Sequence, residues 1–446
     1  MKKKYLIKTL IILVVLGFLA KFLSMIARIL MTRIIGVEGM GLFSLANPCM
    51  LLVINLAQLG LPTAIATKVA KEPQNSKKIF VSGLSISVVV SIILMISTYF
   101  LTPFLAVQIL KNDRLTMTFY ALALLIPLVS LSALIKGYFI GQNEMKLTSL
   151  STVMEEVGRI FFILIFLDYF ASKSPEYASF GAMLGVCVGE IFQSLYLIFF
   201  NERHLYRRIN EILSIKRLQI IEKSHEILSI SIPITLSRLI GSITYFFEPI
   251  ILTNMMIKYS FTTQEITYGY GILNGYVMPL LLMPGFFTVA FSNFLLPNLS
   301  RLIANNRIIE ARKTFFKVML LSLGIGITMA ITFTFFSKPL MMILYGMSEG
   351  HNYVSLLSFP FIVYYFESPL ISAMHALDLT KKAFILTLIS CIIRLISLTL
   401  LIKHFNVLAV CISTLISVYF IVICELYLVL RKLFFNNKQT IFAEKS

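Results

Sequence analysis

The chain has 446 residues, 58% of them apolar and 13% charged, with a mean hydropathy of +0.88 and a formal net charge of +18. A water-soluble domain carries about 25% charged residues, so this composition excludes a soluble enzyme, a disordered chain and a nucleic-acid-binding module. The surplus of Lys and Arg therefore needs a meaning other than nucleic acid.

Apolar runs predict an all-α, polytopic membrane protein of about 12 transmembrane helices, at roughly 6 to 31, 41 to 69, 79 to 105, 116 to 140, 148 to 170, 178 to 200, 227 to 256, 267 to 297, 314 to 336, 351 to 376, 383 to 402 and 406 to 430. Twelve spans of ~22 residues leave no connection long enough for a folded domain outside the bilayer. The opening Met1-Lys-Lys-Lys and the apolar run from Leu6 resemble a signal peptide, but the run continues past Lys21 toward Met31 without a small-residue cleavage site, so it is expected to stay as the first helix. With alternating spans, 27 Lys and Arg fall on the side of the termini and 7 on the other. That asymmetry predicts that both termini are cytoplasmic.

The polar stretch 201 to 226 divides the chain. The expected organisation is an N-terminal six-helix half (1–210), a basic cytoplasmic linker loop (201–226) and a C-terminal six-helix half (227–446). Weakly repeated features suggest two pseudo-symmetric halves around a central cavity: a cation in the first span of each half (Lys21 and Arg28; Arg238), glycines opening the second (Gly41; Gly269 and Gly271) and a proline near its end (Pro62; Pro297). Pro279, Pro284 and Gly285 make the eighth span the candidate hinge, because proline frees backbone carbonyls and kinks a helix.

Ionisable residues inside a bilayer cost at least ~2.5 to 3.5 kcal/mol near its centre, so they mark function or a specific partner. Lys21 and Arg28 are seven residues apart, on one helix face and ~10 Å apart along the axis, a cationic stripe suited to an elongated anion such as a diphosphate. Arg238 has no acidic partner at helical spacing and is expected to face them from the seventh span. Glu155 and Arg159 have the i, i+4 order of a structural ion pair, which leaves Glu156 unpaired. Glu156, Glu248 and Glu367 are candidate ion-coupling carboxylates, with Glu190 a further isolated acid and Arg394 a possible counter-ion. Five cysteines without C-x-x-C spacing read as small buried hydrophobes, and no zinc motif or Walker A loop exists, so no cofactor, metal or ATP hydrolysis is expected.

The segment Lys21-x6-Arg28-x4-Arg33-Ile-Ile-Gly-Val-Glu-Gly-Met-Gly-Leu-Phe, continuing to Gly60-Leu-Pro-Thr-Ala-Ile, resembles the stage V sporulation protein B family of polysaccharide-export flippases, which is related to lipid II flippases within the multidrug/oligosaccharidyl-lipid/polysaccharide superfamily. Ile232-Pro-Ile-Thr-Leu-Ser-Arg238, Tyr268-Gly-Tyr-Gly271 and Leu296-Pro-Asn-Leu-Ser-Arg301 agree with it. The family's first cation is usually Arg; Lys21 keeps the charge but lacks the bidentate fork. The resemblance implies a non-enzymatic, alternating-access flippase in the bacterial cytoplasmic membrane. Its substrate would be an undecaprenyl-diphosphate-linked saccharide held by Lys21, Arg28 and Arg238, with membrane lipids and possible cell-wall synthesis proteins as partners. Two alternatives remain: a cation- or proton-coupled multidrug extruder centred on the carboxylates, and a non-transporting scaffold of a cell-wall synthesis complex.

Overall fold

A computed structural model describes residues 2–199 and 217–434, and among these no strand occurs. The helices are α1 (Lys2–Gln58), α2 (Leu61–Lys71), α3 (Ser76–Pro103), α4 (Thr116–Gly141), α5 (Met145–Phe162), α6 (Asp168–Ala171), α7 (Pro175–Phe199), α8 (Arg217–Lys258), α9 (Thr263–Tyr270), α10 (Met278–Leu282), α11 (Gly285–Ala304), α12 (Ile308–Tyr345), α13 (His351–Ser358), α14 (Tyr364–Ala376), α15 (Thr380–Phe405) and α16 (Ala409–Phe434). Most of the predicted linker, 201–216, lies outside the described residues, whereas Arg217–Glu226 is helical and runs without interruption into the seventh span.

Seven helices among the described residues are long and apolar enough to cross a membrane, or nine if two bent pairs each count as one span. At 57 residues α1 would be about 86 Å long as a straight rod, far beyond a hydrocarbon core of ~30 Å. It breaks into two helices at a kink at Gly36, whose φ of 69° and ψ of −178° are open only to glycine. Thr380–Phe434 likewise holds two helices, α15 and α16, joined at Asn406 with φ 51°. The stretch 145–171 falls outside the apolar count because Glu155, Glu156 and Arg159 lower its hydropathy. Large apolar side chains such as Leu320, Phe335 and Leu400 lie exposed on the outside, a surface suited to lipid.

The chain forms two compact units, Met1–Asn254 with Thr263–Gly271, and Met255–Thr262 with Ile272–Ser446. In the first, α5 packs on α7, α4 on α3, α7 and α2, and α1 on α5 and α7. Its core includes Leu61, Ile65, Val69, Ile79, Leu134 and Tyr138. α9 docks on the second half of α1 at a glycine crossing: a Cβ on Gly41 would stand 2.1 Å from the Thr267 carbonyl oxygen, and one on Gly271 would stand 2.4 Å from that of Val37. Small residues let membrane helices approach in this way. In the second unit α15 pairs with α16, and α11 and α16 both pack on α14, around Leu299, Phe315, Leu370 and Val422.

Candidate substrate and ion sites

Lys21 and Arg28 lie on the first half of α1, Lys21 exposed and Arg28 half-buried. Lys21 and Ser24 both face Glu156 on α5. The expectation that Arg159 pairs with Glu155 and leaves Glu156 alone is corrected by the geometry. The guanidinium forks, Nη2 donating to Glu155 Oε1 and Nη1 to Glu156 Oε2, each at 3.1 Å. One planar cation with parallel donors can hold two carboxylates on the same helix, at i−4 and i−3. The network continues onto α7, where the Gln193 amide donates to Glu155 Oε2 at 2.7 Å, and Glu190 accepts from the Ser132 hydroxyl of α4 with Lys136 within electrostatic reach. A ladder of charged and amide groups thus ties α1, α5, α7 and α4 inside the first unit.

Arg238 sits on α8, exposed, and its Nη2 donates to Thr63 Oγ1 of α2 at 3.2 Å. Lys21 lies within electrostatic reach of a carboxylate, Glu156, and Arg238 meets a hydroxyl. One end of the same α2–α8 contact carries an alternating square of charge. Lys68 Nζ lies 2.6 Å from Glu226 and 3.5 Å from Glu72, and Lys223 Nζ lies 2.9 Å from Glu72 and 3.0 Å from Glu226. The hydrogen bond from Lys223 holds the Glu72 carboxyl below its ordinary range, and those from Lys68 and Lys223 do the same for Glu226. At the far ends of the helices Arg114 bonds both Glu38, at 2.6 Å, and Glu176, fastening three connections together.

The sequence matches the polysaccharide biosynthesis protein family over residues 6–303, a stretch that contains α1, the charged ladder and Arg238. The chain belongs to that family. It is 31% identical over 404 residues to stage V sporulation protein B of Bacillus subtilis, covering 88% of this chain and 77% of that protein. It is also 24% identical over 351 residues to lipid II flippase MurJ of Bacillus subtilis, covering 72% of this chain and 63% of that one. Its fold matches a solved inward-facing MATE-family multidrug resistance transporter of the MOP superfamily with a TM-score of 0.73, 14% identity and coverage of 95% and 98% of the two chains.

The other candidate acids of this polysaccharide biosynthesis protein are dispersed. Glu248, on α8 beside Pro249, is 1% exposed and accepts from the Tyr270 hydroxyl at 3.4 Å. Glu367, on α14, is within reach of Arg394 on α15. Glu425, on α16, was not singled out by the sequence, because it sits near the end of the last span, close to Arg431 and Lys432, where an acid normally meets water; it is fully buried. Its signal was the hydrocarbon on either side at helical spacing, Ile421, Val422, Leu428 and Val429. The expected hinge residues lie at a bend: Thr263–Leu282 and Gly285–Ala304 meet at 46°, with Pro284 between them and Pro279 one turn before.

Proposed function

We propose that this protein is an alternating-access flippase, not an enzyme, that carries a polyprenyl-diphosphate-linked saccharide from the cytoplasmic to the outer leaflet. The carrying observation is the pair of cations, Lys21 and Arg28, on one face of a membrane-embedded helix, with Arg238 as a third cation in the same unit. Such charges are rare in hydrocarbon and suit an anionic headgroup better than a cationic drug. Family membership and the kinship with a lipid II flippase support this reading. The likeness to a multidrug transporter concerns the fold alone.

The chain would cross the bilayer twelve times, with both termini and the 201–226 segment in the cytoplasm and the membrane potential favouring outward movement of the anion. The 46° bend at Pro284 would serve as the hinge. An externally active reporter fused after Ser446 should stay silent; activity there contradicts this topology.

The functional test is complementation of a flippase-deficient strain. Arg238→Ala and Lys21→Ala should reach the membrane in normal amounts and fail to complement, whereas Lys21→Arg should complement. Full complementation by both alanine variants refutes the cationic site; their disappearance from the membrane makes the residues structural. The second reading, a multidrug extruder centred on Glu156, Glu248 or Glu367, predicts instead that export of cationic dyes is lost when those acids become amides.

A further inference from the structure

Glu425 presents a problem that the cations of the first unit do not solve. Its side chain is 0% exposed, and neither carboxyl oxygen has a hydrogen-bond donor among the described residues. Ile421, Val422 and Val429, one turn away from it on its own helix, belong to one apolar cluster with Leu370, Ala373 and Met374 of α14. The charged group that acts on it is another acid, Glu367 on α14, which is itself within reach of Arg394 on α15 and lies beside the Tyr364 phenol.

Of the other titratable groups on the packed elements, Cys424, Tyr427 and Arg431 stand on α16 and Lys313 and Lys317 on α12. Lys432 donates to the Leu377 carbonyl, Arg312 of α12 to the Leu433 carbonyl, and His375 meets Thr380. Lys381 and Lys382 stand at the start of α15, and Lys403 and His404 at its end. Arg394 thus acts on Glu367, and Glu367 is the charged neighbour of Glu425.

We propose that Glu425 and Glu367 share one exchangeable proton and form a proton-binding site inside the second unit. Arg394 can offset one negative charge. The other would remain ionised in hydrocarbon with no N–H or O–H aimed at it, the costliest state open to a buried carboxyl. A carboxyl without a donor escapes that state by carrying the hydrogen itself, so two acids beside one cation hold one proton between them. A metal ion is a poorer occupant, because hard cations require several oxygen ligands and no group of three or more His, Cys, Asp or Glu that could hold one gathers among the described residues. The site lies outside residues 6–303, the stretch that the family model matches. It rests on the transport reading only in its role: a proton taken up on one face of the membrane and released on the other would couple turnover to the proton gradient.

The test is infrared difference spectroscopy of the full chain in nanodiscs of phosphatidylethanolamine and phosphatidylglycerol, from neutral to alkaline pH, in H2O and D2O. The wild-type minus Glu425→Gln difference should hold one protonated-carboxyl stretch, separate from those of other acids such as the half-buried Glu190 and the buried Glu248, that shifts in D2O, disappears at alkaline pH and is indifferent to added sodium. Glu367→Gln should keep that band and lose it at a different pH. A difference without the band, or a band unmoved by alkali or removed by sodium at constant pH, overturns the proposal. If Glu425→Gln is not monodisperse, Glu367→Gln decides: an unaltered titration overturns the sharing. In proteoliposomes carrying a fluorescent polyprenyl-diphosphate saccharide and an imposed proton gradient, Glu425→Gln should lose the gradient dependence. Absence of flipping by the wild type counts against the transport reading alone and leaves the spectroscopic result standing.

Discussion

Replacing Arg159 by methionine keeps most of the side-chain volume and removes the one charge that faces two acids. The three side chains are 20%, 16% and 9% exposed for Arg159, Glu155 and Glu156, so solvent cannot take over the lost contacts. Breaking a buried ion pair by deleting one partner typically costs 3 to 5 kcal/mol. Here Gln193 still donates to Glu155, and Lys21 and Ser24 still face Glu156, which places the expected loss at the lower end, about 3 kcal/mol. That corresponds to roughly two orders of magnitude in an unfolding equilibrium. Reversible denaturation in mixed micelles measures it. The triple variant Glu155→Gln, Glu156→Gln, Arg159→Met leaves no unpaired charge at these three positions and should recover to within about 1 kcal/mol of wild type. A single variant within about 0.5 kcal/mol of wild type, or a triple variant no better than the single, would refute the view of Arg159 as the tie between the acids.

Gly36→Ala should cost about 1 to 3 kcal/mol through backbone strain alone, since nothing lies within 4 Å of the added Cβ. Gly41→Ala should cost more, because its Cβ would collide with the Thr267 backbone. Thermal melts in detergent rank the two, and a less stable Gly36→Ala contradicts the crossing as described. The charge square of Lys68, Glu72, Lys223 and Glu226 should contribute about 0.2 to 1 kcal/mol per pair and weaken with salt. Since both carboxyls are held below their ordinary range, its contribution is complete above their unfolded values near 4.3 and fades as pH falls through the folded ones. Acid titration of stability should lose that component in Glu72→Gln with Glu226→Gln, and an unchanged acid limb in this double variant contradicts the assignment.

The membrane character of the chain was legible because hydropathy is a one-dimensional property, and the bend near Pro284 was legible because proline removes a donor wherever it stands. The span boundaries were less so: helical order begins at Lys2 and runs on to the Gly36 break, since Arg33 and its neighbours carry no helix-breaking signal. The fork of Arg159 was half visible. Its i−4 partner was read and its i−3 partner, Glu156, was passed over although that spacing also brings side chains together. The Thr63 partner of Arg238 lies 175 residues away on another helix, and no periodicity carries such information. Glu425 was hidden for a different reason: depth in a bilayer depends on where a helix starts, and an acid a few residues from a basic end reads as interfacial unless the packing around it is known.

Lys21 lies within electrostatic reach of Glu156, which changes what the cationic stripe does before substrate arrives. A free stripe would bind a diphosphate and hold it; a stripe partly engaged by its own carboxylate must exchange one anion for another, so part of the attraction is returned when substrate leaves. Glu156→Gln removes the competitor. An exposed ion pair is worth roughly 0.2 to 1 kcal/mol, so the affinity of the variant for a short-chain polyprenyl diphosphate should rise by up to about fivefold, measured by calorimetry in nanodiscs. Because most affinity changes appear in the dissociation rate, export should slow even as binding tightens. If Glu156 instead serves ion coupling, the amide should leave diphosphate binding unchanged and abolish the dependence of turnover on an ion gradient. Unchanged affinity therefore rejects the competing-anion role, and tighter binding with slower export rejects the view that the acid serves only as an ion carrier.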